Sequence, residues 1–147
     1  MKRHPILIPI SREHHQMLLL AQLLKKDAPP YQALPQDPIG KKKYALDLFN
    51  SLIFAHLQKD SSILYPFLSS SHSDLLPLTD ELSQQASQLC ATFQSLESAE
   101  NDLPGQLDTL GRSLEAYVRK KERQLFELAQ WLLDERSFEF LNKKLNE

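Results

Sequence analysis

The sequence predicts an all-α protein, an up-down-up-down four-helix bundle with an extended N-terminal arm and a short C-terminal helix. Four long stretches repeat apolar residues at three- and four-residue spacing, as helices with one buried face require. Proline-rich or polar breaks separate them at 27–37, 69–74 and 98–105. No segment alternates apolar and polar residues for long enough to make a strand, and three glycines are too few for a phosphate-cradling loop. Helices that each hide one apolar stripe are satisfied most simply by packing against one another.

His4-Pro5-Ile6-Leu7-Ile8-Pro9 reads as an extended arm, because a proline disfavours helix in the residue before it. Its Ile6, Leu7 and Ile8 are expected to pack across the bundle. The first helix runs from Ser11, a good N-cap, to about Lys26, with Glu13 and the pair Lys25 and Lys26 matching the helix dipole at its two ends. Pro29, Pro30 and Pro35 turn the next stretch into a surface connection. The second helix starts near Pro38 or Gly40 and carries the stripe Leu48, Leu52, His56, Asp60, Ile63 and Phe67; it continues past Pro66 only with a kink. The third spans Leu76 to Leu96, with Thr79 as a cap and Leu82, Gln85, Leu89, Phe93 and Leu96 on one side. The fourth extends from about Leu107 to Leu133, its stripe being Leu110, Leu114, Tyr117, Lys121, Leu125, Leu128 and Leu132. Ser137 caps a closing helix to about Asn146, whose Phe138, Leu141 and Leu145 can cover one end of the bundle.

A chain of 147 residues with 41% hydrophobic and 24% charged content is expected to form one compact domain, 1–147. The net charge of -2 carries no nucleic-acid signature, and Lys41-Lys42-Lys43 reads as a solvated helix start. A single cysteine, Cys90, excludes an internal disulfide and a cysteine-based zinc cluster and fits a reducing compartment, so a cytoplasmic protein is expected. The N-terminal segment lacks the pattern of a signal peptide, and no apolar run approaches membrane-spanning length. Neither nucleic acid nor membrane is expected as a partner, while a homodimer or another protein partner stays open. Trp131 and Phe126 read as core, and His4 and His72 fall in connections without assigned chemistry.

The second stripe is apolar except at His56 and Asp60, whose side chains project side by side as two ligands on a bundle helix do. Gln85 and Lys121 interrupt the third and fourth stripes. Three blocks carry a resemblance: His4-Pro5-Ile6-Leu7-Ile8-Pro9-Ile10-Ser11-Arg12-Glu13-His14-His15, His56-Leu57-Gln58-Lys59-Asp60 followed by Leu64-Tyr65-Pro66, and Leu114-Glu115-Ala116-Tyr117-Val118-Arg119-Lys120-Lys121-Glu122-Arg123-Gln124-Leu125-Phe126. In this order, over almost the whole chain, they resemble the haemerythrin-like (HHE cation-binding) domain family.

The resemblance implies a four-helix bundle holding two bridged irons through histidines and carboxylates, in a family that binds dioxygen, senses oxygen or nitric oxide, or stores iron. Carried over by position, His14, with His15 as a one-residue alternative, matches the first-helix ligand and His56 the second-helix histidine. Asp60 stands for the usual glutamate. Gln85 replaces the third-helix histidine; Tyr117 and Lys121 replace the fourth-helix histidine and carboxylate, with Glu122 beside them facing away from the stripe. An ammonium has no lone pair and repels cations. The expectation is therefore a haemerythrin-like domain without its di-iron centre or any cofactor, in which Lys121 pairs with Asp60 while Tyr117 and Gln85 hydrogen-bond to the imidazoles. Such a protein would be non-enzymatic, with a structural, binding or regulatory role. The alternative is a dioxygen-binding or sensing protein that keeps non-haem iron at an atypical mono- or di-iron site on His14 or His15, His56 and Asp60, with Tyr117 phenolate as a further ligand. No serine, cysteine or carboxylate pair is arranged for catalysis, so no enzyme is expected.

Overall fold

The computed structural model describes residues 2–147, and every regular element among them is helical. Helix α1 spans Ile8–Leu24 behind a tight 3-10 turn, Pro5–Leu7. Helix α2 covers 38–71 as one rod interrupted by two wide π turns, Phe49–Ile53 and Asp60–Leu64. A second 3-10 turn, Ser73–Leu75, leads into α3, Leu76–Leu96. Helix α4 covers 103–132 with a π turn at Lys121–Phe126, and α5, Glu135–Leu145, closes the chain. The architecture is a helical bundle. Helix α1 lies along α4, α3 packs against both α2 and α4, and α5 covers one end, against the Pro5–Leu7 turn and the Asp60–Leu64 turn of α2.

The starts of these helices differ from expectation: α1 and α3 begin earlier, with a proline in the first turn and no side-chain cap, and α5 is capped by an acidic residue. The extended arm is confined to residues 2–4, because His4 caps the next turn, its Nδ1 accepting the Ile6 N–H at 3.1 Å. Pro5 and Pro9 then sit in first-turn positions, where a missing N–H costs nothing. Ser11 therefore lies inside α1, and Leu7 is buried. Thr79 is likewise inside α3, its hydroxyl donating back to the Leu76 carbonyl at 3.0 Å. Asp134 caps α5, accepting the Ser137 N–H at 2.9 Å, so Ser137 is the third residue of the helix and not its cap. Pro66 enters directly after the wide turn Asp60–Leu64, in the first turn of the following α segment, where its missing donor is tolerated.

The π turns shift which side chains face inward. In α2 the buried apolar residues are Ala45, Phe49, Ile53, Leu57, Leu64, Tyr65 and Leu68, whereas Leu48, Leu52, Ile63 and Phe67 are only half-buried. Steps of four residues overshoot a turn of 3.6, and a wider turn absorbs the excess. The same correction applies in α4, where Val118, Phe126 and Ala129 are buried and Leu128 and Leu132 are half-buried. Trp131 is 77% exposed and does not belong to the core, while Phe126 does.

The α1–α4 contact is close because Gly111 has no side chain. A Cβ there would lie 2.7 Å from the Ala21 carbonyl oxygen and 3.0 Å from Leu24 Cβ. No helix among the described residues is long and apolar enough to cross a membrane.

Candidate functional site: a buried charge centre

Helices α1, α2 and α4 each bring polar side chains into the same part of the core. Among the described residues the buried polar or charged side chains are His14, His56, Asp60, Thr79 and Lys121. Four of these five meet: His14 from α1, His56 and Asp60 from α2, and Lys121 from α4. His15, the alternative to His14, is exposed and takes no part.

Lys121 stands at the middle, with no exposed surface. Its Nζ lies 2.5 Å from both carboxylate oxygens of Asp60 and 2.9 Å from His56 Nε2. An ammonium has three hydrogens to donate and no lone pair, and three acceptor atoms from Asp60 and His56 face it. The rings of Tyr65, Tyr117 and Phe126 surround it, with centroids 5.9, 5.8 and 5.9 Å from Nζ. Burial alone pushes the Asp60 carboxyl up, but the Lys121 charge outweighs it and holds the group well below the usual carboxylate range. Burial draws the Lys121 amine down from its ordinary value, and Asp60 opposes that pull.

Two phenols complete the Asp60 shell. Tyr117 donates to Asp60 Oδ2 at 2.6 Å and shares a short hydrogen bond with Tyr65, whose own hydroxyl is 3.4 Å from the same oxygen. Burial, with the Asp60 charge beside them, pushes both phenols well above their ordinary value of 10.0. Both are hydrogen-bond donors here. Tyr117 binds Asp60 and neither imidazole, which departs from expectation. Gln85 also makes no such bond: it is half-buried and its Oε1 has no partner.

Each imidazole is held from outside by a carboxylate. Glu13 Oε1 is 2.7 Å from His56 Nδ1, and Glu122 Oε2 is 2.5 Å from His14 Nδ1. Lys121 donates to His56 Nε2, so the His56 proton is on Nδ1 and is donated to Glu13. Burial, then the Lys121 charge, pulls His14 down from 6.5 to about 4, leaving a neutral ring that donates Nδ1–H to Glu122. Burial would raise Glu122, but bonds from His14 and Ser11 bring it to about 2. Ser11 donates to it at 2.6 Å and Arg3 pairs with it at 2.9 Å. The His14 and His56 ring centres are 5.0 Å apart, and His14 Nε2 has no hydrogen-bond partner.

Glu122 therefore does not merely face away from the stripe; it anchors His14 across the α1–α4 contact. Sequence reasoning assigned no role at the centre to Glu13, Tyr65, Ser11 or Arg3. Tyr65 lies five residues after Asp60, a spacing that shares a face only through the π turn between them. Glu13 carried a faint signal, being adjacent to His14.

The donor set can be tested against a metal. An imidazole held at Nδ1 by a carboxylate, with Nε2 turned inward, is the usual attitude of a metal-binding histidine. Here the point that His56 Nε2 and both Asp60 oxygens converge on is taken by an ammonium, which competes with any cation for the same lone pairs. Among the described residues no three His, Cys, Asp or Glu side chains are grouped as a metal site. With Lys121 in this position the residues do not fit a metal ion.

In comparison with known families, curated proteins and solved structures, the chain matches none. Fold and site together define a class: an all-α helical bundle with an ionised, hydrogen-bonded centre inside its core.

Proposed function

We propose that this chain is a haemerythrin-like bundle in which the Lys121 ammonium stands where a metal cation would, making the centre a structural polar core. The protein then acts without enzymatic chemistry, through its surface, in a structural, binding or regulatory role. One observation carries this: Lys121 Nζ sits 2.5 Å from both Asp60 oxygens and 2.9 Å from His56 Nε2, inside a pair of imidazoles braced from outside by Glu13 and Glu122. The ammonium held by Asp60 and His56, the phenols held as donors and the imidazoles braced at Nδ1 support a structural reading of this centre over a catalytic one.

A second function is favoured by one atom. His14 Nε2 is buried and unpartnered, and such an atom could serve iron if Lys121 moved aside, giving the dioxygen-binding or sensing alternative. Anaerobic loading with ferrous iron, followed by desalting, elemental analysis and optical spectra before and after air, separates the two. The structural reading expects no retained iron and no oxygen-dependent bands. Near-stoichiometric iron with such bands would overturn it.

A further inference from the structure

Two of the wide turns border the charge centre, Asp60–Leu64 in α2 and Lys121–Phe126 in α4. The first is followed by Pro66, whose ring and missing N–H a straight helix would not accommodate. The second has no such cause, since Lys121-Glu122-Arg123-Gln124-Leu125-Phe126 contains neither proline nor glycine. What lies against it is Arg3. Its guanidinium donates to the Glu122 carbonyl oxygen at 3.2 Å and pairs with the Glu122 carboxylate at 2.9 Å and with that of Glu127 at 3.5 Å. It also donates to Gln130 Oε1 at 3.1 Å and lies over the Phe126 ring, 5.3 Å from the centroid. A side chain that bonds a carbonyl inside a helix is one of the few causes that disturb its regular turn.

A wide turn of this kind holds one residue more than an α-helix would, so everything after it lags by about 100° around the axis. In α4 the lag sets Phe126 and Ala129 inward and leaves Leu128 and Leu132 half-buried. Undone, it gives each residue the place of its successor: Leu125 replaces Phe126, Leu128 replaces Ala129, and Trp131 takes the half-buried place of Leu132. Both sets are apolar. In the straight register Leu125, Leu128 and Leu132 stand four, seven and eleven residues after Lys121, the spacing of an unbroken buried stripe. The sequence of α4 therefore satisfies two registers, and contacts from outside the helix decide between them.

We infer that the end of α4 is a two-register element and that Arg3, on the N-terminal strap of residues 2–4, selects the wide register. Gln130 completes the strap, its Oε1 accepting the His4 N–H at 3.1 Å and its Nε2 donating to the Lys2 carbonyl at 2.8 Å. The straight register turns Glu127 and Gln130 away from the strap, so the strap contacts and that register exclude each other. It also withdraws Phe126, whose ring centre lies 5.8 Å from that of His14 and 5.9 Å from Lys121 Nζ. The strap thus acts as a catch. Closed, it keeps an aromatic wall against the charge centre; released, it lets the end of α4 turn and the wall leave.

Trp131 reports the register, being the sole tryptophan and 77% exposed. Arg3→Ala is expected to shift its emission to the blue and to weaken its quenching by acrylamide, because the ring moves to a more covered place. Loosening of the helix end alone would move both readings the opposite way or leave them unchanged. Deletion of Gln124, an exposed residue of the wide turn, removes the surplus residue and keeps Phe126 and Ala129 inward on a plain α-helix. That variant should fold, as circular dichroism checks, and show the wild-type emission; adding Arg3→Ala to it should then change nothing. Unaltered or red-shifted emission in Arg3→Ala overturns the inference. So does an equal blue shift with and without Gln124, or a deletion variant that does not fold. None of these outcomes depends on whether the buried centre binds iron.

Discussion

Helices α1 and α4 meet twice, by opposite means. At Ala21 and Gly111 they approach through backbone and small groups, with no room for one added methyl. Toward the other end of the same pair, His14 and Lys121 enter a centre where every contact is directional and several groups are charged. Close packing loses stability in proportion to the volume changed. A buried charge centre behaves differently, since removing one member strands the others without water. The bundle should therefore answer to substitution in two distinct ways along one helix pair.

The largest effect is expected from Lys121→Met. It leaves the Asp60 carboxylate without its countercharge and His56 Nε2 without a donor, at a cost of about 3 to 5 kcal/mol in urea unfolding. The double variant Asp60→Leu/Lys121→Met removes the charge together with its partner and should recover much of that loss. If the single variant unfolds at the wild-type urea midpoint, Lys121 does not hold the centre.

Acid should act on the charge centre and spare the packed contact. His14 has a folded-state value of about 4 against 6.5, so between those limits the unfolded chain binds more protons. Stability contributed by the neutral ring is thus present above 6.5 and is lost as pH falls toward 4, by about 3 kcal/mol in all. Glu122, lowered to about 2 from 4.5, extends the same trend to lower pH, as does Asp60. His14→Gln should flatten the decline between pH 6.5 and 4, while His15→Gln, at an exposed position, should leave it intact. An unchanged slope in the His14 variant would remove the buried imidazole as its source.

The same contrast explains what could be read from the sequence. Helical class and the breaks between helices followed from apolar spacing, and His56, Asp60 and Lys121 stood out as polar residues on apolar stripes. The remaining members could not be found in this way. Glu13 reaches His56 across 43 residues and Glu122 reaches His14 across 108, each from beside a stripe. Tyr65 joins Asp60 because the chain adopts a wide turn that regular periodicity does not anticipate. The inward face of α2 runs through Ala45, Phe49, Ile53, Leu64 and Leu68, with Leu48, Leu52, Ile63 and Phe67 at the edge of the core, and the wide turns keep residues spaced by four on that one face. Trp131 was misplaced because hydrophobicity alone does not say which face of a helix end remains covered once α5 turns away.

Gly111→Ala tests the other contact. The new methyl meets the Ala21 carbonyl at 2.7 Å, a backbone atom that moves only with its helix, so about 1 to 3 kcal/mol of destabilisation is expected. Because this cost is steric, it should be the same at pH 7 and pH 5. A cost that grows with acidity would mean that the two contacts are coupled along α1 and α4, and the contrast between them would fail.

The smallest effects should come from within the charge centre, and they test whether its hydrogen bonds are ordered as drawn. Tyr117 donates to the Asp60 carboxylate at 2.6 Å, whereas Tyr65 lies 3.4 Å from that oxygen and bonds chiefly to Tyr117. Bonds to a charged acceptor are worth more than bonds between neutral groups. Tyr117→Phe should thus cost roughly 1 kcal/mol more than Tyr65→Phe in urea unfolding. Joining the two substitutions should cost less than the sum of the singles, because each removes the phenol–phenol bond that the other also loses. Equal single costs that add without interaction would show the two hydroxyls acting separately, and the chain of donors from Tyr65 through Tyr117 to Asp60 would have to be redrawn.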